Sequence, residues 1–316
     1  MDTDEDYLPA RFAIEIKTHV LSTLAGSRFG ASQILLVIGE PGTGKTWNLF
    51  RVLSRAGVHV STWDATEVES PNANQPVERL EGAIAQVRAT IRTGRPAALV
   101  LDDTDLLLGR IAGTQYTHNL QHLVQHLMSV ATGDPESMPC PIFFCANDPA
   151  LLHAPLIRHG RAKKFHWEPD EAERFSMMHA HFPSLAEPDA RAVFARFRQQ
   201  PPAFFSALRQ IATERYVRDE LLSGDDTLLW RQAVAAANGQ LKLPTYAVDV
   251  PAMIRLGAEL LDAQAAMKLG LATSGPFSLG DDRRFVPASP SAHDPTAQPA
   301  GTGPDPRTHE DGVVHE

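Results

Sequence analysis

The feature that most constrains this chain is residues 35–46, LLVIGEPGTGKT, where an apolar run leads into a glycine-rich turn. Gly39, four further residues, Gly44, Lys45 and Thr46 give the P-loop spacing G-x-x-x-x-G-K-T. Glycines let backbone N–H groups curl inward around phosphate oxygens, and a following helix adds its positive N-terminal end. The stretch therefore predicts a buried strand, a phosphate-binding loop and a helix in a parallel α/β sheet. A glycine-rich turn that binds nothing is disfavoured, because both flanking elements are present.

The chemistry of this loop predicts a site for ATP and Mg²⁺. Lys45 would contact the β- and γ-phosphates, and the Thr46 hydroxyl would bind the metal ion. ATP and Mg²⁺ are therefore the predicted cofactors. The nucleotide-binding set predicted from the motif is Gly39, Glu40, Pro41, Gly42, Thr43, Gly44, Lys45, Thr46 and Trp47.

A second nucleotide-binding signal lies at residues 97–101, an apolar run that ends in Asp102 and Asp103. A buried strand that delivers acids at its carboxyl end resembles the Walker B motif. Asp102 would complete the Mg²⁺ shell, and Asp103 would orient or polarise the attacking water. Two acids in an ordinary turn are the alternative, which the upstream P-loop disfavours.

Charge and composition exclude several other classes of protein. The net charge of -9 and the lack of a long Lys/Arg run disfavour nucleic acid as the main partner. Two cysteines, Cys140 and Cys145, give no disulfide framework. The acidic start MDTDEDYLPA is unlike a signal peptide, and no run of about 18 apolar residues is present. We expect a soluble cytoplasmic protein with no membrane partner.

Hydrophobic periodicity predicts mixed helices and strands up to Trp167 and helices alone beyond it. Predicted helices cover 8–24, 45–53, 77–93 and 117–131, and predicted strands cover 58–63 and 141–146, the latter ending at Asn147. Later predicted helices cover 169–181, 186–198, 202–222, 226–238 and a segment from the Asp249 cap to residue 271. Beyond Gly275, frequent proline and scarce aliphatic residues predict a disordered tail.

Three histidines, His118, His122 and His126, are spaced four apart on the predicted helix 117–131 and so share a face. Three imidazoles on one face suit a metal site. Because no acid or cysteine lies at ligand spacing, a polar helix face is the preferred interpretation.

Four segments carry a family resemblance: EVESPNANQP at 67–76, GRIAGTQYTHNLQ at 109–121, PIFFCANDPALLHAPLIRHGRAKKFHWEPDEAER at 141–174, and PPAFFSALR at 201–209. They resemble, in order, the first pore loop, a glycine-bearing loop, the segment from sensor 1 to the arginines, and the lid helix of green-type Rubisco activases. These activases are AAA+ ATPases. The similarity extends over residues 7–272.

The resemblance implies an α/β AAA+ module with a parallel P-loop NTPase sheet flanked by helices at 1–168, followed by an α-helical lid at 169–272. A disordered proline-rich tail would occupy 273–316. The family forms homo-oligomers, so we expect a hexameric ring in which loops 67–76 and 109–117 face a central pore.

The resemblance also implies roles for individual residues. Asn147 resembles sensor 1, which helps to place the attacking water. Arg158 and Arg161 resemble arginine fingers that reach the nucleotide of the neighbouring subunit. Arg209 resembles sensor 2, through which the lid senses the γ-phosphate. The predicted catalytic set is Lys45, Asp102, Asp103, Asn147, Arg158, Arg161 and Arg209.

The chain departs from the activase pattern in three places. Asp102 and Asp103 replace the family's Asn-Asp pair, which makes hydrolysis more credible. Pro71 and Asn74 replace glycines in the pore-loop segment. Plant activases carry a separate N-terminal domain that engages Rubisco, and the short segment before the P-loop strand leads us to expect no such domain here.

Three hypotheses for the function follow. The first is a ring-forming remodelling ATPase that releases sugar phosphates from inhibited Rubisco. The second keeps the motor but gives it a different protein assembly as client, recruited by the tail. The third is an ATP-gated assembly scaffold with little turnover. DNA-replication AAA+ proteins are disfavoured by the acidic charge balance.

Overall fold

The computed structural model describes residues 7–26, 32–63, 75–107, 118–132, 138–158, 160–218, 226–238 and 249–268. Within these ranges five strands form one sheet: β1 (Ile34–Ile38), β2 (His59–Trp63), β3 (Ala97–Leu101), β4 (Ile142–Ala146) and β5 (Ala162–His166). The order is β2-β3-β4-β1-β5, and every pair is parallel. The predicted α/β class with a parallel sheet is therefore confirmed.

Helices cover both faces of this sheet and continue beyond it. The helices before β5 are α1 (Ala10–Leu24), α2 (Lys45–Arg55), α3 (Gln75–Arg92), α4 (Thr104–Leu107), α5 (His118–Thr132) and α6 (Ala154–Ile157). The helices after β5 are α7 (Glu171–His181), α8 (Glu187–Arg196), α9 (Pro202–Tyr216), α10 (Asp226–Ala237) and α11 (Val250–Lys268).

Strand β1 shows why its sequence is uniformly apolar. All five of its residues are buried. Ile34, Leu36 and Ile38 pack into the cluster that contains α3 and α5, whereas Leu35 and Val37 pack into the cluster that contains α1 and α2. Because successive side chains point to opposite faces, a strand covered on both faces needs apolar residues throughout.

Strand β5 and helix α4 were not predicted from the sequence. The strand reads AKKFH, and Lys163 and Lys164 are both exposed. Because β5 lies at the edge of the sheet, it needs no continuous apolar run, and exposed lysines discourage pairing with another chain. Helix α4 has four residues, which is too short for a periodic pattern.

The helices after Trp167 have a third apolar cluster of their own, which includes Met178, Phe194, Phe205 and Met253. Met177 differs from its neighbour Met178, because it packs into the cluster of α1, α2 and the sheet.

The domain boundary at residue 169 stays a prediction. Asp170 caps α7 through a reciprocal capping box with Glu173.

Some sequence predictions fall outside the described residues. These are the pore-loop residues 67–74, the loop 109–117, the helix ends 219–222 and 269–271, and the tail 273–316.

Of the three histidines predicted to share a helix face, His126 has an acidic neighbour: its Nδ1 lies 3.4 Å from Glu81 Oε1. Among the helices in the described ranges, none has the length and apolarity to cross a bilayer.

Candidate active site

The site forms where three neighbouring parallel strands end. The P-loop follows β1, Asp102 follows β3 and Asn147 follows β4. In the sheet β4 lies between β1 and β3, so these three carboxyl ends lie side by side. The sheet topology thus brings together residues that are far apart in sequence.

The P-loop backbone requires glycine at three positions. A Cβ atom at Gly39 would come within 2.3 Å of the Trp167 carbonyl oxygen. Gly42 and Gly44 have φ angles of 78° and 82°, which favour glycine. Trp167 also fixes the loop, because its Nε1 donates to Thr43 O at 2.9 Å. The loop is therefore held between β1 and the segment after β5.

Lys45 begins α2, and its side chain, which is bonded to the loop, leaves the residue only 7% exposed. Its Nζ donates to Gly39 O at 2.7 Å, Glu40 O at 2.9 Å and Asn147 Oδ1 at 2.8 Å. Burial lowers the pKa of Lys45, and the nearby acidic groups oppose this shift. All three donors of the ammonium thus meet oxygen atoms that phosphate oxygens could replace.

Thr46 and Asp102 supply an oxygen pair suited to Mg²⁺. Thr46 Oγ1 donates to Asp102 Oδ1 at 2.8 Å, and the Asp103 backbone N–H donates to the same oxygen at 3.0 Å. Mg²⁺ prefers oxygen ligands and commonly takes one or two carboxylates together with substrate phosphates. Because this pair lies beside Lys45 and the phosphate loop, these residues fit the predicted ion.

Asp103 is, in the described ranges, the one non-glycine residue with positive φ, at 43°. This backbone conformation is unfavourable for most side chains and often marks a functional turn. Burial raises the pKa of Asp103, and the neighbouring charges of Asp102 and Asp105 raise it further. A carboxylate with a raised pKa beside the pocket can accept a proton from water.

A cavity of about 460 Å³ opens in front of these residues. One wall contains Gly44, Lys45, Thr46, Asp102, Asp103 and Asn147. The opposite wall comes from α7 and α9 and contains Met177, Ala180, His181, Pro202, Ala203 and Ser206. The two walls meet where Ala203 N donates to Gly42 O at 3.0 Å. The volume is in the usual range for a small-molecule site.

The three arginines predicted from the sequence are not lining residues of this cavity. Arg158 is exposed at the end of α6, and Arg161 Nη1 donates to Pro155 O at 2.7 Å. Among the described residues that line the cavity, Arg158, Arg161 and Arg209 are absent. Arg209 is nevertheless close to the α7–α9 wall. Burial first, and then the charge of Arg209, lowers the pKa of His181 to about 4.

Comparison with known proteins assigns the family. The model for the "ATPase family associated with various cellular activities (AAA)" matches residues 35–169, from β1 to just after β5. The ribulose bisphosphate carboxylase/oxygenase activase of Anabaena sp. is 29% identical over 317 residues, which is 94% of this chain and 75% of the relative. The chain is a Rubisco activase-like AAA+ ATPase.

Two further activases show the same relationship to this activase-like ATPase. The activase of Nostoc sp. is 30% identical over 231 residues, or 67% of this chain and 55% of the relative. The chloroplastic activase of Chlamydomonas reinhardtii is 27% identical over 280 residues, which is 84% of this chain and 68% of the relative. The match to the AAA family supports ATP binding and hydrolysis by this chain.

The site of this activase-like ATPase also contains residues that the sequence patterns did not predict. Trp167 is 1% exposed and bonds the P-loop, yet its sequence signal is only a large aromatic residue before the first lid helix. His181, Met177 and Ser206 line the cavity through a tertiary contact that no local pattern encodes. Asp105 lies two residues after the predicted acid pair, and this closeness in sequence is the signal that points to it as a further acid near the site.

Proposed function

We propose that a hexameric ring of this chain uses ATP hydrolysis to remodel a protein client, namely inhibited Rubisco, from which it releases a tightly bound sugar phosphate. The observation that carries the proposal is the cavity between the strand ends and α7–α9. ATP in this cavity would contact both walls, so its binding and loss would shift the lid helices relative to the sheet. The relatives named as activases support Rubisco as the client.

The binding step uses the oxygen contacts of Lys45. Phosphate oxygens of ATP would take the place of the Gly39 and Glu40 carbonyls and of the Asn147 amide oxygen. The exchange releases the Asn147 side chain to contact the attacking water. Thr46 and Asp102 would hold Mg²⁺, which supplies neutralisation of the phosphate charge when it is bound.

The chemical step joins water to the γ-phosphorus and breaks its bond to the bridging oxygen of ADP. Asp103 would accept the proton from the water, and Asn147 would orient it. Negative charge spreads over the transferring phosphoryl group, and cations at this point lower the barrier. Arg158 and Arg161 of a neighbouring subunit would supply such charge, and Arg209 would report the γ-phosphate to the lid.

The direct test adds the purified chain and ATP to Rubisco that is inhibited by a tightly bound sugar phosphate, and measures the carboxylation regained. We expect reactivation with ATP, and none with a non-hydrolysable analogue or with Asp103→Asn. ATP hydrolysis without reactivation would remove Rubisco as the client and leave another assembly as the cargo. Reactivation that survives Asp103→Asn would contradict a hydrolysis-driven motor and favour the ATP-gated scaffold.

A further inference from the structure

Asp105 is a buried acid directly behind the candidate active site. It lies on α4, it is 6% exposed, and it is not among the described residues that line the cavity. Its Oδ2 accepts the backbone N–H groups of Asn147 and Asp148, each at 3.2 Å. The carboxylate on α4 thus holds the turn after β4.

The held residue is the one that meets Lys45. Asn147 Oδ1 accepts from Lys45 Nζ at 2.8 Å, so Asp105, Asn147 and Lys45 form a continuous series of hydrogen bonds. Fixing the Asn147 backbone N–H fixes the Cα atom from which its amide side chain projects. A shift of one ångström in such a group is enough to reduce the rate of a positioned reaction severely.

Stability alone does not account for this residue. Asp105 Oδ1 is buried and has no hydrogen-bond partner among the described residues. A buried carboxylate oxygen without a partner is unfavourable, and an apolar side chain would avoid that cost. Thr104, which precedes it, already ties α4 to the end of β4, because its Oγ1 donates to Cys145 O at 2.7 Å.

We propose that Asp105 is a positioning residue for ATP hydrolysis, which sets where Asn147 presents its amide to the γ-phosphate and the attacking water. The inference rests on the proposed function, since it assumes that Asn147 acts in hydrolysis. Asp105 acts through Asn147 and does not touch the nucleotide. Its loss therefore slows turnover while the nucleotide continues to bind.

The test compares Asp105→Ala, Asp105→Asn, Asn147→Ala and the double variant Asp105→Ala/Asn147→Ala in steady-state ATP hydrolysis. We expect Asp105→Ala to lower kcat by about tenfold or more with KM changed by less than about threefold. Asp105→Asn keeps one acceptor oxygen and should recover kcat to within about threefold of the wild type. The double variant should be no slower than Asn147→Ala, because the two residues act as one unit.

Thr104→Val is the matched control. It removes the hydrogen bond between α4 and the end of β4 without touching Asn147, so it should reduce thermal stability and leave kcat within about twofold. Binding of a fluorescent ADP analogue checks that each variant keeps its pocket. If Asp105→Ala does not fold, Asp105→Val replaces it, since it restores volume without an acceptor.

Three outcomes would overturn the inference. They are a wild-type kcat in Asp105→Ala, multiplied effects in the double variant, and failure of both Asp105→Ala and Asp105→Val to fold. The last outcome would assign Asp105 to stability. The outcome for the proposed function is separate: if the wild type hydrolyses no ATP, that function fails, whereas an inactive Asn147→Ala beside a normal Asp105→Ala rejects only the role of Asp105.

Discussion

The cavity wall at the strand ends, called the inner wall below, differs from the pair Arg158 and Arg161 in its contacts within one chain. The inner wall contains Gly44, Lys45, Thr46, Asp102, Asp103 and Asn147. On the inner wall, Lys45 bonds Asn147 and Thr46 bonds Asp102, both at 2.8 Å. Arg158 is exposed at the end of α6, and Arg161, which follows α6, donates to the Pro155 carbonyl of that helix. One chain alone therefore brings together the groups that we propose bind phosphate and Mg²⁺. Neither Arg158 nor Arg161 is among the described residues that line the cavity, in agreement with our proposal that they serve a second copy.

The largest expected effect is on the inner wall. Lys45→Ala removes a buried ammonium and all three of its hydrogen bonds, so we expect both nucleotide affinity and turnover to fall. The loss in kcat/KM should be at least about 10³-fold in steady-state ATP hydrolysis. Lys17→Ala, which removes an exposed lysine on α1, is the control and should match the wild type. Normal ADP-analogue binding by Lys45→Ala would contradict the assignment of this wall.

The arginine pair should show a different kinetic pattern. Arg158→Ala removes an exposed side chain that lies outside the cavity, so nucleotide affinity should stay within about twofold while kcat falls about 10²- to 10³-fold. Titration with a fluorescent ADP analogue and steady-state hydrolysis separate the two quantities. Arg255→Ala, another exposed arginine, is the matched control. Equal losses of affinity and kcat would instead place Arg158 in its own chain's pocket.

The smallest expected effect is a loss of stability at acidic pH that comes from His181 on the α7–α9 wall. The pKa of His181 is lowered to about 4, chiefly by burial, from the ordinary value of 6.5. The unfolded chain therefore binds a proton below pH 6.5 that the folded chain does not bind until about pH 4. The contribution of His181 to the free energy of unfolding should fall as pH drops through this window, by at most about 3 kcal/mol, and should fall no further below it.

Urea unfolding at neutral pH and at the acidic end of that window measures this loss. His181→Gln should lose less stability on acidification than the wild type. His19 is the matched comparison on the sheet side, because burial also lowers its pKa to about 4 and its ring contacts Phe143. If His181→Gln loses as much stability as the wild type, His181 is not neutral in the folded wall.

Local patterns were enough to place the residues of the inner wall at the ends of strands. The P-loop, the acid pair and Asn147 each follow a short apolar run, and the parallel sheet brings those runs together at one edge. Strand β5 escaped prediction because an edge strand can expose Lys163 and Lys164. Its assignment shows that a short polar segment can still belong to a buried sheet.

Residues that depend on tertiary contacts were harder to predict. Trp167 contacts the loop only because β5 runs beside β1, and His181 reaches the cavity only because α7 folds back over the sheet edge. Asp105 is recognised by its bonds to the turn after β4, which is distant in sequence. For Arg158, Arg161 and Arg209, the resemblance to activases suggested roles that stay predictions.

The central claim is that the active site is shared between subunits, and mixing two defective variants tests it most directly. Lys45→Ala has a defective pocket but an intact Arg158, and Arg158→Ala has the reverse. The account predicts that each variant is inactive alone. In an equal mixture, about a quarter of the subunit pairs combine an intact pocket in one subunit with an intact Arg158 in its neighbour, and activity should return at these pairs. A mixture in which co-purification shows joint assembly, but whose hydrolysis stays at the sum of the separate variants, would contradict a shared site.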